Sequence, residues 1–366
     1  MSDLLYSEVE EDLRASVRSL LTDQAGFSTV LARTESAEPY DLKLWRTLAA
    51  DLGLAGLAVP ESLGGQGASY REVAVVLEEL GRSVAPVPFL GSAVLATAAL
   101  LAAGDAELLP RLAGGELIGA LAVPLTTIPG AAFPSGVRAN SEGALSGAVR
   151  TVADASVADV LIVPAVGPDG PGLYAVEKTG VTVAEALSLD STRRLADVAL
   201  DNASSRLLAG PEQAEAALRQ ALTAGAGLLA SEQVGIAQWC LDETVAYLKQ
   251  RYQFGRPVGS FQALKHRLAD LYLEILSARA TARYAADALA SGIEDVPVAV
   301  AVAQSTCSAV ALHAAEEAVQ LHGGIGMTWE HPAHLYLKRA KSDELALGTP
   351  GRHRAALAGL ANLPPA

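Results

Sequence analysis

The chain has 366 residues, 51% hydrophobic and 19% charged, with a formal net charge of −14. That length leaves room for two or three domains with ordinary cores, and the acidic total argues against nonspecific nucleic-acid binding and against anionic membrane surfaces. Aromatic residues are only 5%, while alanine and leucine are abundant, which favours a helical core over an all-β one.

The N-terminus is acidic at once and has no basic flank before an apolar core, so no signal peptide is expected there. Leu13, Val17, Leu20 and Leu21, at spacings of three and four, predict an amphipathic helix over 6–22. A second helix is predicted over 41–53. Gly56, Pro60, Gly64, Gly65 and Gly67 then mark a loop. Helices are predicted over 70–82, 91–103 and 105–113. The apolar stretch 91–103 is too short to span a bilayer. These elements define an N-terminal helical domain, residues 1–115.

Near Gly115 the pattern changes to short β-rich runs: 118–123, 137–139, 144–152, 160–163, 172–176, 181–184 and 195–200. Turn-forming glycine and proline lie between them, which predicts a compact antiparallel β domain over 116–210. After Gly210-Pro211 helices are predicted over 211–255, 260–291, 296–322 and 329–346, making a C-terminal helical domain, residues 211–366. The Ala/Val run 298–303 has no periodicity and reads as a helix buried on all sides. Cys240 and Cys307 read as two small buried hydrophobes rather than a disulfide.

Two distant segments could carry chemistry. Arg251, Gln253, Phe254 and Gly255 offer a bidentate anion donor, an amide, a flat ring and a close backbone approach, a set suited to a pyrophosphate and an aromatic ring system. Taken alone, Arg251 is equally a cation closing a helix. Gly323, Gly324 and Gly326, after Gln320, could bring backbone N–H groups to a phosphate or planar cofactor, or simply stop a helix. No Walker motif, no Gly-x-Gly-x-x-Gly after a strand and no Gly-x-Ser-x-Gly elbow occurs. His331 and His334 have Pro332 between them and no acidic partner at ligand spacing, so no metal site is expected.

The segment Arg251–Gln262 resembles the R-x-x-F-G-x-x-(I/V)-x-x-F-Q signature of the acyl-CoA dehydrogenase family. Gln320–Gly326 resembles its Q-x-x-G-G-x-G signature, and Val59–Gly67 its early P-E-x-x-G-G-x-G loop. The resemblance runs along nearly the whole chain. It implies an α+β fold of N-terminal helices, a middle antiparallel β-barrel and a C-terminal four-helix bundle. It also implies FAD bound across a subunit interface of a tetramer. Arg251, Gln253 and Phe254 would meet the pyrophosphate and adenosine side, with Val258, Phe261 and Gln262 lining the same region. Gln320, Gly323 and Gly324 would hold the adenosine end from the neighbouring subunit, and Thr349 would lie beside the flavin. The implied reaction removes an α-proton from an acyl-CoA thioester while hydride leaves the β-carbon for the flavin. Electrons then pass to an electron-transferring flavoprotein or similar acceptor.

The chain departs from that pattern where the reaction needs a base. The family's usual glutamate before Gly-Thr corresponds to Leu347, and an alternative family position corresponds to Gly225. Glu344 is the fallback, one helical turn earlier, or Asp343 beside it; Glu232 and Glu243 are further alternatives. Ala122 replaces the hydroxyl that faces the flavin in the family, and Thr151-Val152-Ala153-Asp154 stands where a Trp-Ile-Thr stretch is usual. The stretch Thr328–Arg339 resembles actinobacterial members acting on steroid side-chain or other bulky acyl-CoA esters, some of which assemble as α2β2 heterotetramers. The expectation is a cytoplasmic protein of fatty-acid or steroid catabolism, without a membrane span. It would be the base-lacking partner of a homologous dehydrogenase subunit. An active homomer with a relocated base and a flavin-free interaction subunit are the alternatives.

Overall fold

The computed structural model describes residues 4–177, 180–293 and 295–361. Helix α1 (Glu8–Gln24) starts with a capping box: Ser7 Oγ accepts from the Glu10 N–H at 3.2 Å, and the Glu10 carboxylate accepts from the Ser7 N–H at 2.6 Å. The eight-residue α2 (Phe27–Thr34), too short for a clear period, has no counterpart among the predicted helices. Then come α3 (Leu42–Arg46), running into a π-helical turn at Thr47–Asp51, and α4 (Tyr70–Ser83). A π-helical segment, Phe89–Ala96, buried at every residue, leads into α5 (Thr97–Ala103); α6 (Leu108–Ala113) follows. In the loop before α4, a Cβ added at Gly65 would lie 2.1 Å from the Val59 carbonyl oxygen, so a side chain cannot fit there.

The middle of the chain corrects the expected antiparallel barrel. Among the described residues, this part of the chain forms eight strands: β1 (Gly119–Leu121), β2 (Val137–Ala139), β3 (Leu145–Ala153), β4 (Val160–Gly167), β5 (Gly170–Glu177), β6 (Val181–Ala186), β7 (Leu195–Ala203) and β8 (Arg206–Ala209). The sheet order is β6-β7-β3-β2-β4-β5-β8, with β1 also on β4, and the end strands β6 and β8 do not pair, so the sheet does not close. It is mixed: β1 runs parallel to β4 with Gly119 opposite Val160, and β2 runs parallel to β4 with Arg138 opposite Val166. The reason is connectivity. β2 and β3 form an antiparallel pair, and β4 takes the other edge of β2 rather than the free edge of β3. Alternation in a sequence reports which face is buried and is silent on the direction of the neighbour.

Five helices complete the fold instead of four: α7 (Ala214–Gln250), α8 (Gln262–Ser291), α9 (Val296–His322), α10 (Ala333–Leu345) and α11 (Pro350–Leu360). A two-strand hairpin, β9 (Tyr252–Gln253) and β10 (Arg256–Pro257), separates α7 from α8. Helix α7 is the axis, packing on α4, α5, α8 and α9. It meets α4 through two reciprocal glycines. A Cβ at Gly235 would lie 1.9 Å from Glu78 O, and one at Gly81 would lie 2.1 Å from Glu232 O. One apolar core therefore joins the first helices to α7 and α9, while a second lies within the sheet. By length and composition α9 could cross a membrane, but 61% of its most apolar stretch is buried inside the fold, as expected for a core helix. Cys240 and Cys307 are free and buried.

Candidate active site and cofactor surface

Gly225 on α7 and Leu347, just after α10, come together. A Cβ placed on Gly225 would lie 3.1 Å from Leu347 Cδ1 and closer still to Leu95 Cδ2, from the π-helical segment. Leu347 is fully buried and adopts a left-handed conformation, φ 54°, which is unusual for a branched residue. Two hydrogen bonds hold it there. Its N–H donates to Leu125 O at 2.7 Å, and its carbonyl accepts from His353 Nε2 at 3.0 Å. The two positions at which the resemblance expects a base thus share one spot, filled by aliphatic side chains.

The nearby acids are engaged elsewhere. Glu344 is half-buried and paired with Lys341. Glu232 and Asp343 belong to a buried ionic network that the sequence alone does not disclose. Arg193, in the β6–β7 connection, donates to Glu232 on α7 at 2.6 Å and to Asp343 on α10. Arg339 on α10 donates to Glu232 at 2.6 Å, to Asp190 at 2.7 Å and to Thr192 Oγ1 at 2.7 Å. Burial alone would raise the Glu232 pKa, but the Arg193 and Arg339 charges outweigh it and hold Glu232 below its ordinary range. For Asp343, burial and then the Glu232 charge prevail and push it up to about 8. Two arginines thus face three carboxyls, and the shortfall of positive charge falls on Asp343. The available signal was an Arg and an Asp four apart on α10, which face one side of a helix.

Around the same spot, Ala122 is buried and its N–H donates to Ile162 O at 2.8 Å. Thr151 and Asp154 both have positive φ. The buried Asp154 carboxylate accepts from the Gly91 N–H and the Tyr40 hydroxyl, each at 3.0 Å, tying the end of β3 to the π-helical segment. Burial raises its pKa to about 6. Thr349 caps α11, its Oγ1 accepting from the Arg352 N–H at 3.4 Å. A cleft of about 240 Å³ opens beside Leu125, Thr151, Leu195 and Leu345, with the exposed Leu187 and Leu189 at its edge.

The other motifs stand on the surface. Arg251, Gln253, Gly255 and Arg256 are exposed, and Phe254 is 90% exposed with a φ of 55°. Arg251 makes no side-chain ion pair among the described residues, and Arg256 stacks over the Phe261 ring at 3.8 Å. Val258 and Phe261 are half-buried and Gln262 is exposed. Gln320, Gly323 and Gly324 are exposed at the end of α9, and a Cβ at either glycine would meet nothing within 4 Å. The ends of α7 and α9 lie together, since Tyr247 packs its ring 4.4 Å from that of His322. Exposed cationic, amide and aromatic groups beside open backbone fit a large anionic ligand with a flat ring.

Residues 7–116 match the family model for the acyl-CoA dehydrogenase N-terminal domain, and 215–359 match that for the acyl-CoA dehydrogenase C-terminal domain. The chain is 40% identical to acyl-CoA dehydrogenase IpdE2 of Mycolicibacterium smegmatis, over 94% of this chain and 96% of the relative. Among solved structures it is similar to a variant of the Tcur3481-Tcur3483 steroid ACAD, with 34% identity, a TM-score of 0.86, and 97% and 98% of the two chains covered. It is also similar to the ChsE4-ChsE5 complex from Mycobacterium tuberculosis, with 29% identity, a TM-score of 0.88 and full coverage of both chains. Sequence and fold agree along the whole length, and the chain belongs to the acyl-CoA dehydrogenase family.

Proposed function

We propose that this chain is the base-lacking subunit of a heteromeric acyl-CoA dehydrogenase, contributing FAD-binding surface to a site completed by a related chain. The observation that carries this reading is the meeting of Gly225 and Leu347 in an aliphatic spot. An alkane side chain cannot take up an α-proton, and loss of a positioned base costs about 10²–10⁴-fold in rate. Lys341 engages Glu344, and two arginines engage Glu232. Two of the similar solved structures are named for two chains each, which supports a two-chain assembly here.

In this reading Arg251, Gln253 and Phe254 bind the pyrophosphate and adenosine side of FAD, with Val258, Phe261 and Gln262 beside them. Gln320, Gly323 and Gly324 serve the adenosine end of the FAD on a neighbouring subunit, and Thr349 lies near the ring. The Arg251 guanidinium, unpaired among the described residues, and the open glycines support these assignments. Bound FAD would supply the hydride acceptor; the residues of this chain orient it and exclude water. The substrate is a bulky, steroid-like acyl-CoA, a choice supported by the steroid relative and by the leucines at the cleft edge. Electrons leave through an electron-transferring flavoprotein or similar acceptor in the cytoplasm. The working domain division is 1–115, 116–210 and 211–366, with all eight sheet strands falling between Gly119 and Ala209.

The test is coexpression with a base-bearing homologue, followed by native mass, flavin per chain and acyl-CoA-dependent dye reduction. Activity only in the mixed complex is expected, with Arg251→Ala in this chain lowering flavin retention. A homo-oligomer of this chain turning over acyl-CoA at about 1–10³ s⁻¹ would overturn the proposal.

A further inference from the structure

Three segments that meet at the end of α9 carry a second cluster. His322 lies 4.1 Å, ring to ring, from His331 in the stretch before α10. Glu243, one turn before Tyr247 on α7, places Oε1 3.8 Å from His331 Nε2. One ligand atom from each of Glu243, His322 and His331 lies within 4.8 Å of the other two. In the sequence His331 has His334 as its near neighbour. The fold sends His334 to the Trp329 ring, 4.5 Å away, and brings His322 and Glu243 to His331 instead.

The proton placement on His322 is informative. His322 Nδ1 lies 2.6 Å from Ala318 O. A carbonyl can only accept, so the ring proton sits on Nδ1 and Nε2 presents a lone pair. That Nε2 atom is buried and has no hydrogen-bond partner among the described residues, in a side chain whose residue is only 3% exposed. A buried acceptor without a partner is costly, and it is satisfied by a Lewis acid as well as by a hydrogen. Nδ1–H bonded to a backbone carbonyl is also the arrangement that orients a metal-binding imidazole.

We propose that Glu243, His322 and His331 form a binding site for a divalent transition-metal ion of the zinc class. Two imidazoles and one carboxylate suit such an ion, and three protein ligands leave a position for water. Glu243 is only partly buried, which gives solvent and the ion a way in. Binding has two structural costs. His331 Nδ1 accepts from the Ala333 N–H at 3.2 Å, and a metal on Nε2 moves the ring proton to Nδ1 and ends that bond. Zinc–ligand distances of about 2.0–2.2 Å also require the three atoms to draw closer together. The ion would then fasten α7 to the Gly323-Gly324 turn and fix the turn's position.

The test uses the full chain, stripped with EDTA, dialysed, and titrated with zinc chloride by calorimetry, with cobalt(II) absorbance as a probe of coordination. One zinc per chain and a raised Tm are expected. Glu243→Gln and His331→Gln should each weaken binding by about tenfold or more. His313→Gln, which removes an exposed His–Glu pair on another face of α9, should leave it unchanged. Glu243 lies toward the surface, so Glu243→Gln decides the matter should the His331 variant not fold. Absence of zinc binding by the unmodified chain, or binding that Glu243→Gln leaves intact, would overturn the proposal.

Discussion

The middle and the C-terminal end of α7 meet opposite surroundings. Around Gly225 the helix is buried against the side-chain ends of Leu95 and Leu347. At Arg251 the chain emerges into a hairpin whose cation, amide and ring are exposed. A dry aliphatic contact asks only for shape, whereas an exposed guanidinium beside open glycines asks for a partner from outside. The same helix thus closes its interior to chemistry and leaves its C-terminal end open to a ligand.

If the buried interior is as tightly determined as its contacts indicate, Arg339→Ala has the largest effect. It leaves Glu232 and Asp190 short of a buried counter-charge, and a loss of about 3–5 kcal/mol in denaturant-measured stability is expected. Leu347→Glu comes next. It places a carboxylate against Leu95 without a neighbouring cation, and a loss of about 3 kcal/mol is expected. Normal stability together with acyl-CoA turnover by this variant alone would break the comparison, because the spot would then still be a working pocket.

The glycines sharpen it. Gly235→Ala should cost about 1–3 kcal/mol, because its methyl group would collide with Glu78 O at the α4–α7 contact. Gly324→Ala, at the open end of α9, should change stability by less than about 0.5 kcal/mol. Equal effects of the two would erase the distinction between the regions. A separate test concerns pH. The Asp343 carboxyl rises from an ordinary value of 3.8 to about 8 in the fold. Between those values the folded chain holds a proton that the unfolded chain has released, so stability falls as pH rises through that window and levels off above it. Asp343→Asn should flatten that slope in Tm-versus-pH profiles.

Most helices were legible because their apolar spacing and turn residues act locally. The expected strand runs 137–139 and 181–184 both lie in observed strands. The direction of β4 beside β2 was not legible, since it depends on which edge a returning strand takes. Leu347 and Gly225 could each be named from motif alignment, but their contact with Leu95 could not, because Leu95 sits on a different element with no local signal. The Arg193–Glu232–Arg339–Asp343 network was missed because its members are spread over three segments, and Glu232 was read only as a possible base. Charges reveal burial only once the fold has enclosed them.

Helix α9 has a consequence for how the chain is made. Its sequence is apolar enough, over enough length, to be handled during synthesis as a membrane segment. The two helices that cover most of it, α7 and α8, precede it in the chain, while α10 and α11, which cover the rest, follow it. Since translation runs from the N-terminus at about 5–20 residues per second, the α7 and α8 surfaces have left the ribosome before α9 appears. The order of the helices therefore gives a nascent greasy segment most of its shelter in advance, an order that a circular permutation beginning at α9 would reverse.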